Sequence, residues 1–303
     1  MTLFTRWKHH PQTLWFRRAI FQIHLWSGLA VGLYIVVISV SGSILIYRSE
    51  LRQAFEPEPR FVTISGVRMT ETTLKQTAQR AYPNYRVARI ILRDDPARAA
   101  TITLRRHDKP LQLLFDPYTG EDLGHQLPVP YRLTTWMLDL HDNLLYGPIG
   151  RRVNGIGSIV LTLLGLTGAI IWWPGIGAWQ RSVIVDWRAG WRRVNWTLHS
   201  ALGFWFILFV LMWGITGIYL TIPEPFNVIA DTIEPIDDST FEPRTVDTAL
   251  YWLAAVHFGR FGGWITKVPW FLIGFVPPVL FLTGTIMWWN RIVRPSMATE
   301  SER

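Results

Sequence analysis

Polar residues become scarce in four stretches of this chain, at 24–47, 153–173, 196–222 and 268–289. Each is long enough, as a helix rising about 1.5 Å per residue, to cross a hydrocarbon layer about 30 Å thick. Residues 48–130 carry a different pattern. The run 70–82 repeats its apolar positions at helical spacing, with Thr70 as a plausible N-cap and Pro83-Asn84 as the stop. Residues 87–93, 101–106 and 111–115 alternate as strands do, with a turn at 107–110 and a tight turn at Asp116-Pro117-Tyr118-Thr119-Gly120. One helix and an antiparallel meander predict a small α+β module. Farther on, Leu133, Trp136, Met137, Leu140, His141 and Leu144 share one helical face, so His141 lies on the apolar side of a segment leading into the second long stretch. Pro277-Pro278 should kink the fourth stretch.

This pattern divides the chain into a tail and first membrane helix (1–47), the module (48–130), an amphipathic segment with the second membrane helix (131–173), a loop (174–195), the third membrane helix (196–222), a short acidic segment (223–263), the fourth membrane helix (264–290) and a tail (291–303). The predicted fold is that of a mainly α membrane protein with four transmembrane helices.

Composition agrees with a bilayer. The 303 residues are 49% hydrophobic and include 17 tryptophans, with a positive mean hydropathy; tryptophan is the residue of membrane interfaces. The net charge of +8 would suggest nucleic acid in a soluble protein. Here the cations flank the apolar stretches, so topology accounts for them and no nucleic-acid partner is expected. Arg6, Lys8, Arg17 and Arg18 precede the first stretch, Arg181, Arg188, Arg192 and Arg193 separate the second from the third, and Arg291 and Arg294 follow the fourth. Positive loops stay inside, which predicts cytoplasmic N- and C-termini and places 48–150 and 223–263 outside, in a periplasm if the membrane is a bacterial inner membrane. Arg151, Arg152 and Lys267 run against this rule locally. The first apolar run is too long for a cleavable signal and has no small-residue cleavage site. The chain has no cysteine. Disulfides, thiolate catalysis, Cys-ligated clusters and covalently attached haem are therefore excluded, and histidine is left as the ligand for any redox metal.

Histidine is also what repeats. Arg17, Arg18, Phe21, His24, Gly28 and Gly42 recur 175 residues later as Arg192, Arg193, Trp196, His199, Gly203 and Gly217. Trp136, His141, Leu166-Thr167-Gly168 and Trp172-Trp173 recur 116 residues later as Trp252, His257, Leu282-Thr283-Gly284 and Trp288-Trp289. The predicted architecture is a duplicated helical hairpin, its copies related by a pseudo-twofold axis along the membrane normal, with the module inserted in the first copy. That axis places His24 beside His199 at the inner face and His141 beside His257 at the outer face. A pairing of His24 with His141 would span a membrane thickness and is excluded.

A zinc or copper site needs three or four protein ligands. Each face offers two histidines and no repeated carboxylate. Two axial imidazoles are what a b-type haem requires, since the porphyrin supplies the other four nitrogens. Two b-type haems are therefore expected, with His24, His199, His141 and His257 on iron. Gly28 and Gly203 would leave room for the macrocycle. Arg17, Arg18, Arg192 and Arg193 would either anchor the inner face or hold propionates; Arg151, Arg152, Arg260 and Lys267 are the outer candidates. Bland roles are expected elsewhere. Trp172-Trp173 and Trp288-Trp289 read as interfacial belts, and Thr167, Thr283 and Thr216 as hydroxyls bonding back to their own helices. Met137, Met212 and Met287 read as packing, and His9, His10, His107 and His125 as solvated side chains.

The helix and meander ending in Phe115-Asp116-Pro117-Tyr118-Thr119-Gly120-Glu121 resemble a PepSY domain over about 55 residues. With the His24…Gly28 and His199…Gly203 helix starts, His141, His257 and the two Leu-Thr-Gly…Trp-Trp helix ends, nearly the whole chain resembles the PepSY-associated transmembrane-helix family of iron-regulated membrane proteins. That family includes bacterial inner-membrane reductases of ferric siderophores with two b-type haems. The resemblance implies an oxidoreductase passing electrons from a cytoplasmic-side donor, through an inner and then an outer haem, to a ferric siderophore or other Fe(III) chelate outside. The second outside segment is shorter here than in larger relatives. Two alternatives compete. The first is a membrane-anchored PepSY module that binds or regulates a peptidase; it leaves the paired histidines without a purpose. The second is a transporter; it lacks a charged residue deep inside a helix.

Overall fold

The computed structural model describes residues 2–55, 60–106, 109–125, 127–236 and 244–293. The turn expected at 107–110, with His107, and the acidic positions Asp237, Asp238 and Glu242 lie wholly or partly outside them. The chain forms two compact units, Arg48–Thr135 and the remainder.

In the larger unit, α1 (Leu3–His9) precedes the long α2 (Trp15–Leu45). After the smaller unit come α6 (Gly147–Trp172), the short α7 (Trp179–Ser182), α8 (Trp191–Thr221), α9 (Glu224–Ile233), α10 (Thr245–Phe258), α11 (Trp264–Ile273) and α12 (Val276–Trp288). Four segments are long and apolar enough to cross a membrane: α2, α6, α8 and the joined Trp264–Ile292. Each begins within nine residues of its predicted start, and Arg17, Arg18, Arg192 and Arg193, read as flanking the first and third stretches, belong to the helices themselves.

These spans close a ring in which α2 packs on α6, α6 on α8, α8 on α12 and α12 on α2. Without a hydrophobic force between helices in lipid, close approach at small residues supplies the packing. A side chain at Gly32 would overlap the Phe281 ring at 1.9 Å, and one at Gly214 would meet the Thr162 hydroxyl at 2.3 Å. The fourth stretch breaks rather than kinks. α11 ends at Ile273 with Gly274 as its C-cap, and Pro277-Pro278 fall in the first turn of α12, where the missing N–H groups have no helical acceptor to lose.

The smaller unit holds α3 (Arg48–Ala54), α4 (Glu71–Ala81) and four strands, β1 (Arg86–Ile91), β2 (Ala100–Arg106), β3 (Lys109–Phe115) and β4 (Asp122–His125). The strands pair in chain order, all antiparallel. Thr70 caps α4 by accepting from the Thr73 N–H. Ala100, Ile102 and Leu104 point to one face of β2 and pack with Leu74, Ala78, Leu113 and Phe115 into a dry core. The Asp116 carboxylate accepts from the Tyr118 and Thr119 amides, and Gly120 takes φ 75°, so the predicted turn forms for the expected reason. His125, expected in a loop, ends β4, where Leu113 pairs with it. The helix α5 (Val129–Asn143) starts in this unit and carries His141 in the other.

Candidate paired-histidine sites

Each of the four repeated histidines rests on the helix beside its own. His24 on α2 faces α6, with its Nδ1 3.0 Å from the Thr167 hydroxyl. His199 on α8 faces α12, its Nδ1 2.8 Å from the Thr283 hydroxyl. His257 on α10 faces α8, its Nδ1 2.7 Å from the Thr216 hydroxyl. His141 on α5 faces α2, its Nδ1 3.0 Å from the Ile38 carbonyl and 3.2 Å from the Ser41 hydroxyl. The expected back-bonds form as well, since Thr167, Thr283 and Thr216 donate to Leu163, Val279 and Met212 on their own helices. The link from hydroxyl to imidazole was not legible beforehand.

These contacts sort the rings into two levels. The residue Ser41 that touches His141 stands seventeen positions beyond His24 on α2, about 25 Å along the axis. Thr216, which touches His257, stands equally far beyond His199 on α8. The His141 and His257 rings are 6.3 Å apart between centroids and 58° apart in plane. Two imidazoles on opposite sides of one metal, each with a nitrogen about 2 Å from it and a ring centre roughly 1 Å farther back, would have their ring centres roughly 6 Å apart. Burial holds both His141 and His257 below the ordinary imidazole pKa, and each ring adds to or offsets this through its neighbours: His141 depresses His257, while the Ile38 carbonyl and Asp142 raise His141. Both are neutral near pH 7, the state that ligates a metal.

Among the described residues, no three His, Cys, Asp or Glu side chains come together as a bare metal site would require. Two imidazoles per level match the donor set of a bis-histidine haem instead. Other observations fit the same group. The Nε of Arg17 and the indole N–H groups of Trp172 and Trp288 are buried without a hydrogen-bond partner, as donors to a carboxylate would be. The two tryptophans occupy matching places, each five residues beyond the threonine that holds an imidazole. Belt tryptophans turn their N–H to the headgroups; these two turn it into the protein. By contrast the Trp173 indole donates to the Trp7 carbonyl.

The remaining predicted site residues are placed as follows. Arg17 also caps the end of α6, donating to the Ile171 and Trp173 carbonyls. Arg18, Arg192 and Arg193 are exposed, and Arg193 lies over the Trp196 ring at 4.7 Å. Arg151 donates to the Leu220 carbonyl and stands 3.9 Å from Asp142, while Arg152 is exposed. Arg260 donates to the Leu45 carbonyl, and Lys267 lies over the Trp264 ring at 6.0 Å. A side chain at Gly28 would meet only Leu164, at 3.6 Å, and one at Gly203 would meet nothing within 4 Å. The tight glycines are elsewhere: Gly42, Gly168 and Gly284 lie directly under imidazoles.

The family model of the PepSY-associated TM region matches residues 21–240 and again 230–291. The chain belongs to that family and is a multi-pass membrane protein. None of the curated proteins compared with it matches.

Proposed function

We propose that this protein is a transmembrane oxidoreductase of the bacterial inner membrane. It takes electrons from a cytoplasmic-side donor and reduces an Fe(III) chelate, a ferric siderophore in the first instance, in the periplasm. The observation that carries this reading is that four histidines, two per level, each hold Nδ1 against a hydroxyl or carbonyl of a neighbouring helix, with the His141 and His257 rings 6.3 Å apart. Both termini are cytoplasmic in this reading, and the α+β unit is a periplasmic PepSY-like module. When bound, a b-type haem at each level supplies one-electron chemistry between ferric and ferrous iron.

The chain's own residues have separable tasks. His24 with His199, and His141 with His257, would hold the iron of each haem through their imidazoles. Arg17, Trp172 and Trp288 offer buried donors for inner propionates, with Arg18, Arg192 and Arg193 at the surface beyond them. Arg151 and Arg152 are the outer counterparts. Gly28 and Gly203 keep the space beside α2 and α8 open. The bundle excludes water, which sets the potential through burial. Reduction releases the metal because hard oxygen ligands hold Fe(III) far more tightly than Fe(II).

The test is an absorbance spectrum of the full chain purified after growth with ample haem supply. A reduced low-spin b-type spectrum, partly lost in His199→Ala and in His257→Ala, is expected. Oxidation of the reduced protein by a ferric siderophore, read at the same band, tests the acceptor. A colourless protein overturns the proposal.

A further inference from the structure

The residue that follows each imidazole-bonded hydroxyl is a glycine. The four dipeptides are Thr167-Gly168 for His24, Thr283-Gly284 for His199, Ser41-Gly42 for His141 and Thr216-Gly217 for His257. They sit on four different stretches of α2, α6, α8 and α12. In three of them the glycine clears the ring its neighbour holds. A Cβ at Gly168 would stand 3.3 Å from His24 Cε1, one at Gly284 3.3 Å from His199 Cε1, and one at Gly42 2.7 Å from His141 Cε1. In the fourth, the glycine instead admits Ser158 of α6, whose Oγ a Cβ at Gly217 would meet at 2.6 Å.

The direction of each hydrogen bond follows from counting protons. A hydroxyl has one hydrogen to give. The Thr167, Thr283, Thr216 and Ser41 hydroxyls lie 2.7, 2.8, 2.6 and 2.7 Å from the carbonyls four residues back, which can only accept. Each hydroxyl hydrogen is therefore committed to its own helix, and a lone pair is left facing the imidazole. The ring nitrogen must then be the donor. At His141 the conclusion stands without the hydroxyl, because the Ile38 carbonyl 3.0 Å from Nδ1 carries no proton.

We infer that the four hydroxyl–glycine dipeptides are imidazole seats, which fix His24, His141, His199 and His257 as Nδ1–H tautomers and present Nε2 of each as the ligating atom. The ligating half rests on the proposed haem function; the tautomer half does not. A histidine that donates its second N–H to an acceptor is a stronger donor to its metal, and loss of such partners costs about 10- to 100-fold in metal affinity or activity. Ser41, Thr167, Thr216 and Thr283 are thus positioning residues, acting through the imidazoles.

Two measurements test this on the full chain in lipid. The first uses haem-free protein with histidine ring nitrogens labelled with ¹⁵N, so that protonated and unprotonated nitrogens separate by chemical shift. Four rings protonated at Nδ1 are expected. Thr283→Val should remove that signature from His199 alone, and Thr283→Ser should restore it. The second is a redox titration of haem-loaded protein. Thr283→Val should favour ferrous over ferric iron at one haem by roughly tenfold, about 59 mV upward for one electron, with Thr283→Ser near the parent value. Rings protonated at Nε2, or a Thr283→Val protein with an unchanged His199 signature, would overturn the seats. Nδ1–H rings in a protein that takes up no haem would uphold the seats and overturn the haem.

Discussion

The two histidine levels are built from the same parts but not to the same standard. At the His24/His199 level the two rings have matching contacts. Each Nδ1 meets a threonine hydroxyl at 2.8–3.0 Å, and each Cε1 would stand 3.3 Å from a Cβ added at the glycine beneath it. At the His141/His257 level they diverge. His141 has a carbonyl and a serine as partners and a glycine pressed close beneath it, whereas His257 has one threonine and a glycine given over to helix packing. The supporting helices differ too. His24 and His199 ride on the 31-residue spans α2 and α8, whereas His141 and His257 ride on the shorter α5 and α10. The contacts are alike where both histidines ride on long spans, and they differ where each rides on a shorter helix of its own.

The largest expected effect comes from the rings themselves. His199→Ala and His257→Ala should each remove one of the two proposed haems and leave the other, as read from the reduced spectrum. Loss of both from either single change would mean that the levels are not separate. Next come the hydroxyls. Thr216→Val should weaken ligation at the His257 level by about tenfold or more in haem affinity. Ser41→Ala should do much less, because the Ile38 carbonyl still takes the His141 proton. Equal losses in the two variants would erase the asymmetry. The glycines follow: Gly42→Ala should displace His141 and broaden or shift the outer band, while Gly284→Ala, with 3.3 Å in place of 2.7 Å, should be milder.

The smallest effect concerns α10 alone. Arg244 bonds Asp247 in the first turn of α10 and also reaches Asp231 on α9, and it holds the Asp247 carboxyl below the ordinary aspartate range. A depressed carboxyl contributes stability above its unfolded value of about 3.9, and that contribution is lost as pH falls through the lower folded value. The first turn of α5 carries no acidic residue. Helix-reporting backbone NMR shifts should therefore show the start of α10 loosening below about pH 4 while the start of α5 does not. Loosening of both together would show that this ion pair does not distinguish them.

Parts of this molecule were legible in one dimension for a physical reason. Spans show as apolar runs because lipid excludes polar groups along their whole length. The module's helix and first three strands show because Leu74, Ala78, Ile102 and Leu104 keep the periods of their elements. β4 did not show. Asp122-Leu123-Gly124-His125 has no apolar alternation and becomes a strand only because β3 offers its edge. α9 was hidden in an acidic, proline-containing segment, where Pro225 falls in the first turn and so costs no helical hydrogen bond.

The candidate site divides in the same way. The sequence alone determined which histidines repeat, since an offset of 175 or 116 residues survives any folding, and the expectation of a ligand pair at each level came from it as well. Tertiary structure alone decided what each ring's other nitrogen does. A threonine inside a helix bonds its own backbone whatever lies beside it. Whether its spare lone pair meets lipid, a neighbouring helix or an imidazole depends on how α2 turns against α6, and α8 against α12. That rotation is set by packing all round the ring, at glycines such as Gly32 between α2 and α12 and Gly214 between α8 and α6, and no periodicity along the chain records it.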